Sequence, residues 1–154
     1  MGHAKGDDDV KVQQQDLFHG AALTQIVEHP SFKALNRASA KYGHYLVNTD
    51  RQVFVKYRTN EKPPWQHTVQ PDELVALSSA IESTDHVFLC LVCGPVTVCA
   101  LDREQINALV DVTSPTAQWI RVDVPPAGSC HLSGSQGKLK RTIPHKAFPD
   151  GIFA

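Results

Sequence analysis

Residues 86–102, HVFLCLVCGPVTVCALD, form the most apolar part of the chain and hold three of its four cysteines. Two runs rich in Val, Leu and Phe flank Gly94-Pro95, which predicts two strands joined by a tight turn. With Gly94-Pro95 as a two-residue loop, Cys93 faces Val96 and Cys90 lies opposite Cys99. Their Cα atoms are then about 4.5 Å apart, near the short limit for a disulfide. Cys93 is three residues from Cys90 and points to the other face of an extended strand. Cys90, Cys93 and Gly94 also have the spacing of half a zinc knuckle. A knuckle must turn both sulfurs toward one ion, whereas Leu91 and Val92 between them are strand residues. Cys130-His131 supplies no second C-x-x-C and no H-x₃-H. The stretch is therefore read as a core hairpin with buried thiols, a Cys90/Cys99 redox pair and a metal half-site being the alternatives. No metal ligand set and no cofactor is expected.

The segments on either side carry start signals for helices. Pro71-Asp72-Glu73 places proline at a first helical position and acids in the first turn, where the backbone dipole favours negative charge. Leu74, Leu77 and Ile81 follow at helical spacing. Asp102 and Gln105 are spaced as a capping box ahead of Ile106, Leu109 and Val110. Residues 118–124 alternate, with Ile120, Val122 and Val124 on one face, and a last hairpin is expected around residues 133–137. Upstream, residues 44–48 and 52–58 predict a hairpin around Thr49-Asp50-Arg51, and residues 65–69 a third strand. Residues 16–28 and 30–42 predict helices, the second with Pro30 in its first turn and Gly43 as its stop. Residues 144–154 are expected as an extended tail.

The order of elements predicts an α+β fold: a single domain with a mixed, mostly antiparallel β-sheet covered by three to four helices. A length of 154 residues with 42% hydrophobic and 20% charged residues fits one globular domain. Residues 1–15, with three consecutive Asp and three consecutive Gln, are expected as a flexible tail, and residues 16–154 as the domain. The longest apolar run, residues 87–93, falls far short of the roughly 18 residues a membrane helix needs. Without an apolar leader, a cytoplasmic location with no membrane contact is expected.

Charge is unevenly spread. Residues 33–62 carry seven Lys or Arg against two acids, residues 63–102 five acids and no Lys or Arg. Lys33, Arg37 and Lys41 fall at four-residue spacing, one stripe of the predicted helix. Lys56 and Arg58 share a face of their strand with Phe54. If helix and strand adjoin, these five cations form one phosphate-binding surface, with Phe54 or Trp65 as a stacking platform for nucleic acid. Lys138, Lys140 and Arg141 make a second basic patch near Gly134 and Gly137, without the spacing of a phosphate-binding loop.

The candidate catalytic residues are Asp50, Lys56 and His67, with His44 and His86 as further titratable groups. Helix, strands, helix, strand over residues 30–93 resembles the element order of the PD-(D/E)XK nuclease core. That resemblance implies Mg²⁺ held by carboxylates beside a strand lysine. Asp50 and Lys56 would serve, but Phe54 stands where the E-x-K carboxylate belongs, which speaks against ordinary catalysis. Three functions follow as expectations. The first is a small binding module for nucleic acid or another polyanion, more binder than enzyme. The second is a divergent metal-dependent nuclease or hydrolase, the one case in which Mg²⁺ is implied. The third is a protein-interaction or homo-oligomeric domain using an edge strand or residues 144–154, where Phe148, Ile152 and Phe153 are apolar.

Overall fold

A computed structural model describes residues 12–39, 43–126 and 128–154. The chain runs α1 (Gln14–Val27), β1 (Leu35–Ser39), β2 (His44–Val47), β3 (Arg51–Arg58), β4 (Trp65–Val69), α2 (Pro71–Ser83), β5 (Val87–Cys93), β6 (Thr97–Leu101), α3 (Arg103–Leu109), β7 (Gln118–Asp123), β8 (His131–Gly134), a 3-10 turn (His145–Ala147) and α4 (Asp150–Phe153). The expected α+β class is what the chain adopts, one domain whose strands divide between two sheets. The first has the order β1-β2-β3-β5-β6, and the second β4-β7-β8. Among the described residues only β3 and β5 pair in parallel; β4 and α2 lie in the long crossover that such a pair requires. Among the described residues no helix is long and apolar enough to cross a membrane.

β5 is buried along its whole length. Its side chains alternate between two cores. Val87, Leu89, Leu91 and Cys93 pack with Leu74 and Leu77 of α2, Ile106 and Leu109 of α3, and Ile120 and Val122 of β7. Phe88, Cys90 and Val92 pack with Ala22 and Ile26 of α1 and with Ile152 of α4. The capping box at Asp102 is formed, with Gln105 N–H donating to Asp102 Oδ1 at 2.9 Å and Asp102 N–H to Gln105 Oε1 at 2.9 Å.

The register of the central hairpin differs from expectation by one residue. Cys93 pairs with Thr97, so Cys90 lies opposite Ala100 and Cys99 opposite Leu91. The connection is three residues, Gly94 to Val96, closed by Val96 N–H on Cys93 C=O at 3.0 Å. A slip of one residue exchanges the faces. Cys90 therefore belongs to the α1 side and Cys99 to the other core, and no Cys90/Cys99 pair exists.

Residues 30–42 do not form the predicted helix. Residues 35–39 are strand β1, paired with β2 from Leu35↔Val47 onward, and residues 40–42 lie outside the described residues. The Asn48 carboxamide explains the outcome. Its Oδ1 accepts from Lys33 N–H (2.6 Å) and Ala34 N–H (3.1 Å), and its Nδ2 donates to Ser31 C=O at 2.8 Å. The approach to β1 is thus tied to the β2–β3 turn, and a β ladder outweighs a weak helical preference.

The expected tail at residues 144–154 is also corrected. Phe148 and Ile152 are buried against the first sheet. Phe153 stacks on His29 with centroids 4.3 Å apart, and Arg51 Nε donates to Ile152 C=O at 2.7 Å. These apolar side chains pack within their own chain and are not a free arm for a partner. At the other end, Gln14 and Gln15, expected as tail, belong to α1, and residues 1–11 lie outside the described residues.

Gly94 has φ +51°, and a Cβ there would run into the Asn60 carbonyl; its own N–H donates to Arg58 C=O at 2.9 Å. Gly94→Ala is expected to destabilise the protein by about 2–4 kcal/mol. Urea unfolding measures this. A variant as stable as the parent would show that the turn relaxes freely.

Candidate polyanion interface

The second sheet has one covered face and one open face. In β7 Ile120 and Val122 are fully buried, while Trp119 and Arg121 alternate with them on the opposite side. The register carries that open face across the sheet. Gln66 of β4 pairs with Arg121 and Thr68 with Trp119. On the far side Arg121 pairs with Ser133 and Asp123 with His131. The chain then turns back beyond β8, through Gly134 N–H on Gly137 C=O at 2.7 Å and Leu139 N–H on Leu132 C=O at 3.0 Å. Ser133 bridges Lys138, so Lys138 and Lys140 project beside the sheet.

Arg121, Asp123, His131, Ser133, Lys138 and Lys140 together line a groove of about 390 Å³. Three permanent cations face one carboxylate there. Arg121 Nη2 and Asp123 Oδ2 are 4.0 Å apart, with each side chain about half exposed at 46% and 51%. Such a loose, solvated pair is worth little, so the guanidinium stays available to an anion. The hairpin tip is held by Gln136 N–H on Leu109 C=O at 2.9 Å and by Trp119 N–H on Ser135 Oγ at 2.7 Å.

The residues singled out as a first basic surface do not come together. Arg37 pairs across the sheet with Tyr45, and its Cζ lies 5.6 Å from that ring's centroid; this is the α1 face of the first sheet. Lys56 and Arg58 alternate onto the other face, with Phe54. Lys33 is exposed ahead of β1, and Lys41 lies outside the described residues. Phe54, at 5% exposure, and Trp65, at 0%, are core residues. Phe54 stacks on His44, and the Trp65 indole donates to Asn60 C=O at 2.7 Å. Neither ring is free to stack on a ligand.

Lys56 sits in a polar cleft of about 340 Å³ with Gln15, His19, Gln70, Asp72 and Glu73. Its Nζ donates to Glu73 Oε2 at 2.6 Å, and Glu73 Oε1 accepts from Gln70 N–H at 3.1 Å. A carboxylate therefore does lie beside Lys56, supplied by α2 and not by a neighbouring strand. His19 is kept toward its neutral form by burial and by the nearby Arg37 and Lys56 cations, and its Nδ1 is 3.2 Å from the Tyr45 hydroxyl. Asp50 is in the β2–β3 turn, bonded to Arg51 at 2.7 Å. Six residues of extended chain, roughly 20 Å, separate it from Lys56, so the two do not form one site.

His67 is 1% exposed on the inner face of β4. Its Nε2 lies 3.9 Å from Cys93 Sγ, and its Nδ1 has no hydrogen-bond partner among the described residues. It is a core residue with no surface from which to serve as a base. All four cysteines are free and buried. Burial pushes the Cys93 thiol up to about 12, and a hydrogen bond with Cys130 raises Cys99 while favouring the thiolate of Cys130. Among the described residues no group of three or more His, Cys, Asp or Glu is arranged to hold a metal ion. No family model matches the chain, and neither curated proteins nor solved structures give a match.

Burial, with the Lys56 and Arg58 cations adding to it, lowers the His67 pKa to about 3. An unfolded chain protonates this ring near 6.5. The unfolded state thus gains a proton first, and stability is lost as pH falls from about 6.5 toward 3. The slope is at most about 1.4 kcal/mol per pH unit from this residue. Urea unfolding at pH 7 and pH 5 should show a loss of about 2 kcal/mol, much of it removed by His67→Leu. An unchanged pH slope in that variant would assign the acid sensitivity elsewhere.

Proposed function

We propose that this protein is a small polyanion-binding module, acting in the cytoplasm, whose contact surface is the open face of the second sheet. The observation that carries this is the availability of charge. Arg121, Lys138 and Lys140 line one groove against a single carboxylate, and the ion pair between Arg121 and Asp123 spans 4.0 Å. Lys56, by contrast, is committed to Glu73 at 2.6 Å. Exposed cations in a row neutralise phosphates or sulfates and release their counterions, an effect that weakens steeply with salt. The Lys138-Leu139-Lys140 alternation on an extended segment sets the two ammonium groups on one side, about 7 Å apart at their Cα atoms.

The carboxylate beside Lys56 favours a second function, phosphodiester hydrolysis at that cleft. It requires Mg²⁺-dependent cleavage of DNA that Lys56→Ala abolishes. Equal product in Mg²⁺ and in EDTA rules it out.

For the polyanion module, the protein should be retained on heparin at low salt. Its affinity for a labelled oligonucleotide should fall roughly 20- to 40-fold between about 50 and 200 mM salt if three phosphates are contacted. The double variant Lys138→Ala/Lys140→Ala should lose most of that binding and flatten the salt slope. No retention at low salt, or binding untouched by the double variant, defeats the proposal.

A further inference from the structure

We infer that the polyanion is a single-stranded nucleic acid and that Trp119 is the surface on which its bases stack. The inference rests on the polyanion-binding face proposed above and adds the polymer's class.

Of the two tryptophans, Trp65 is fully buried and hydrogen-bonded, whereas Trp119 keeps 36% of its surface exposed. It lies on the open face two residues from Arg121, on the same side of β7. Its backbone is fixed on both sides, by Thr68 across β4 and by Ser135, whose N–H donates to Trp119 C=O at 3.1 Å. The indole is therefore presented on a rigid strand and not on a loop. A little over a third of the indole is thus open on the same face as the Arg121 guanidinium, a flat apolar surface that a base can cover.

The geometry sets two rows along the strand direction. Trp119 and Arg121 form one row, about 7 Å apart at their Cα atoms; Lys138 and Lys140 form the other, at similar spacing and about 10 Å away across β8. Phosphates held along the lysine row leave bases free to lie over the Trp119 row. Exposed Gln66 and Thr68 border it on the β4 side. A single strand offers base faces to such a platform, and stacking of this kind tolerates any base. A duplex keeps its base faces inside its own stack and presents only phosphates and groove edges, so Trp119 adds nothing to its binding.

The test uses the full chain with labelled oligo-dT, oligo-U and a duplex of the same length, read by anisotropy and by quenching of tryptophan emission. Trp65 is buried, so quenching reports Trp119. Either single strand should bind at least tenfold tighter than the duplex. Trp119→Ala should lose roughly tenfold in single-strand affinity and abolish the quenching, Trp119→Phe should keep most of both, and heparin retention should be unchanged in both variants. If the duplex binds as tightly as the single strands, or Trp119→Ala binds like the parent, the stacking role is wrong while the polyanion surface stands. If heparin and all three oligonucleotides fail to bind, both fall together.

Discussion

The structure depends on β5 being buried on both of its faces. A strand with no solvent side must find an apolar partner for every residue, and Val87–Cys93 does so through two separate cores. That demand brings β3 in parallel on one side and β6 antiparallel on the other. It recruits α1 and α4 over one face, and α2, α3 and the second sheet over the other. The docking of the C-terminal segment follows from the same need. Without Phe148 and Ile152, part of the α1-side core would face water, and burial of side chains of this size is worth about 1.5–3 kcal/mol each.

Cover over the centre of the first sheet, complete at β5 and open at the edge strand β1, sets how its charges are held. A cation on a covered face must be paired or reach an edge. Lys56 meets Glu73 in a cleft where their side chains are only 19% and 23% exposed, and the pair ties the start of α2 to the middle of β3. The second sheet has no such cover on its outer side, so its cations remain solvated and weakly engaged. The difference between the two sets lies in the layers around them and not in the residues.

Much of this was legible in the chain itself. The unbroken apolar run of β5, the alternation of β7, the proline-led start of α2 and the Asp102 capping box all read correctly, because each is a local signal. The misreadings share a different cause. The four-residue spacing of Lys33, Arg37 and Lys41 suits a helix, but a contact fifteen residues away in sequence, from Asn48 to Lys33, draws the approach to β1 onto the β2–β3 turn. The hairpin register turned on whether Val96 belongs to the loop, and one residue moved Cys99 to the other core. Trp119 and Arg121 carry no local motif of their own; only their alternation with the buried Ile120 and Val122 places them together on the outer face. The alternation that identified the inner face had already defined the outer one.

That alternation carries a further lesson about where function can sit in a fold of this kind. A continuous apolar strand such as β5 has no side chain to spare, and its cysteines, however suggestive their spacing, are held as packed thiols whose ionisation burial opposes. A strictly alternating strand such as β7 holds its inner residues by burial and leaves its outer ones unconstrained by packing. What occupies those outer positions is then free to be whatever solubility alone would favour. On β7 it is instead a tryptophan beside an arginine, backed by Lys138 and Lys140 across β8. Solubility alone favours charge and disfavours an exposed indole. The ring stands there beside an arginine whose ion pair with Asp123 spans 4.0 Å, at a position that inward packing leaves open and that the fold does not dictate.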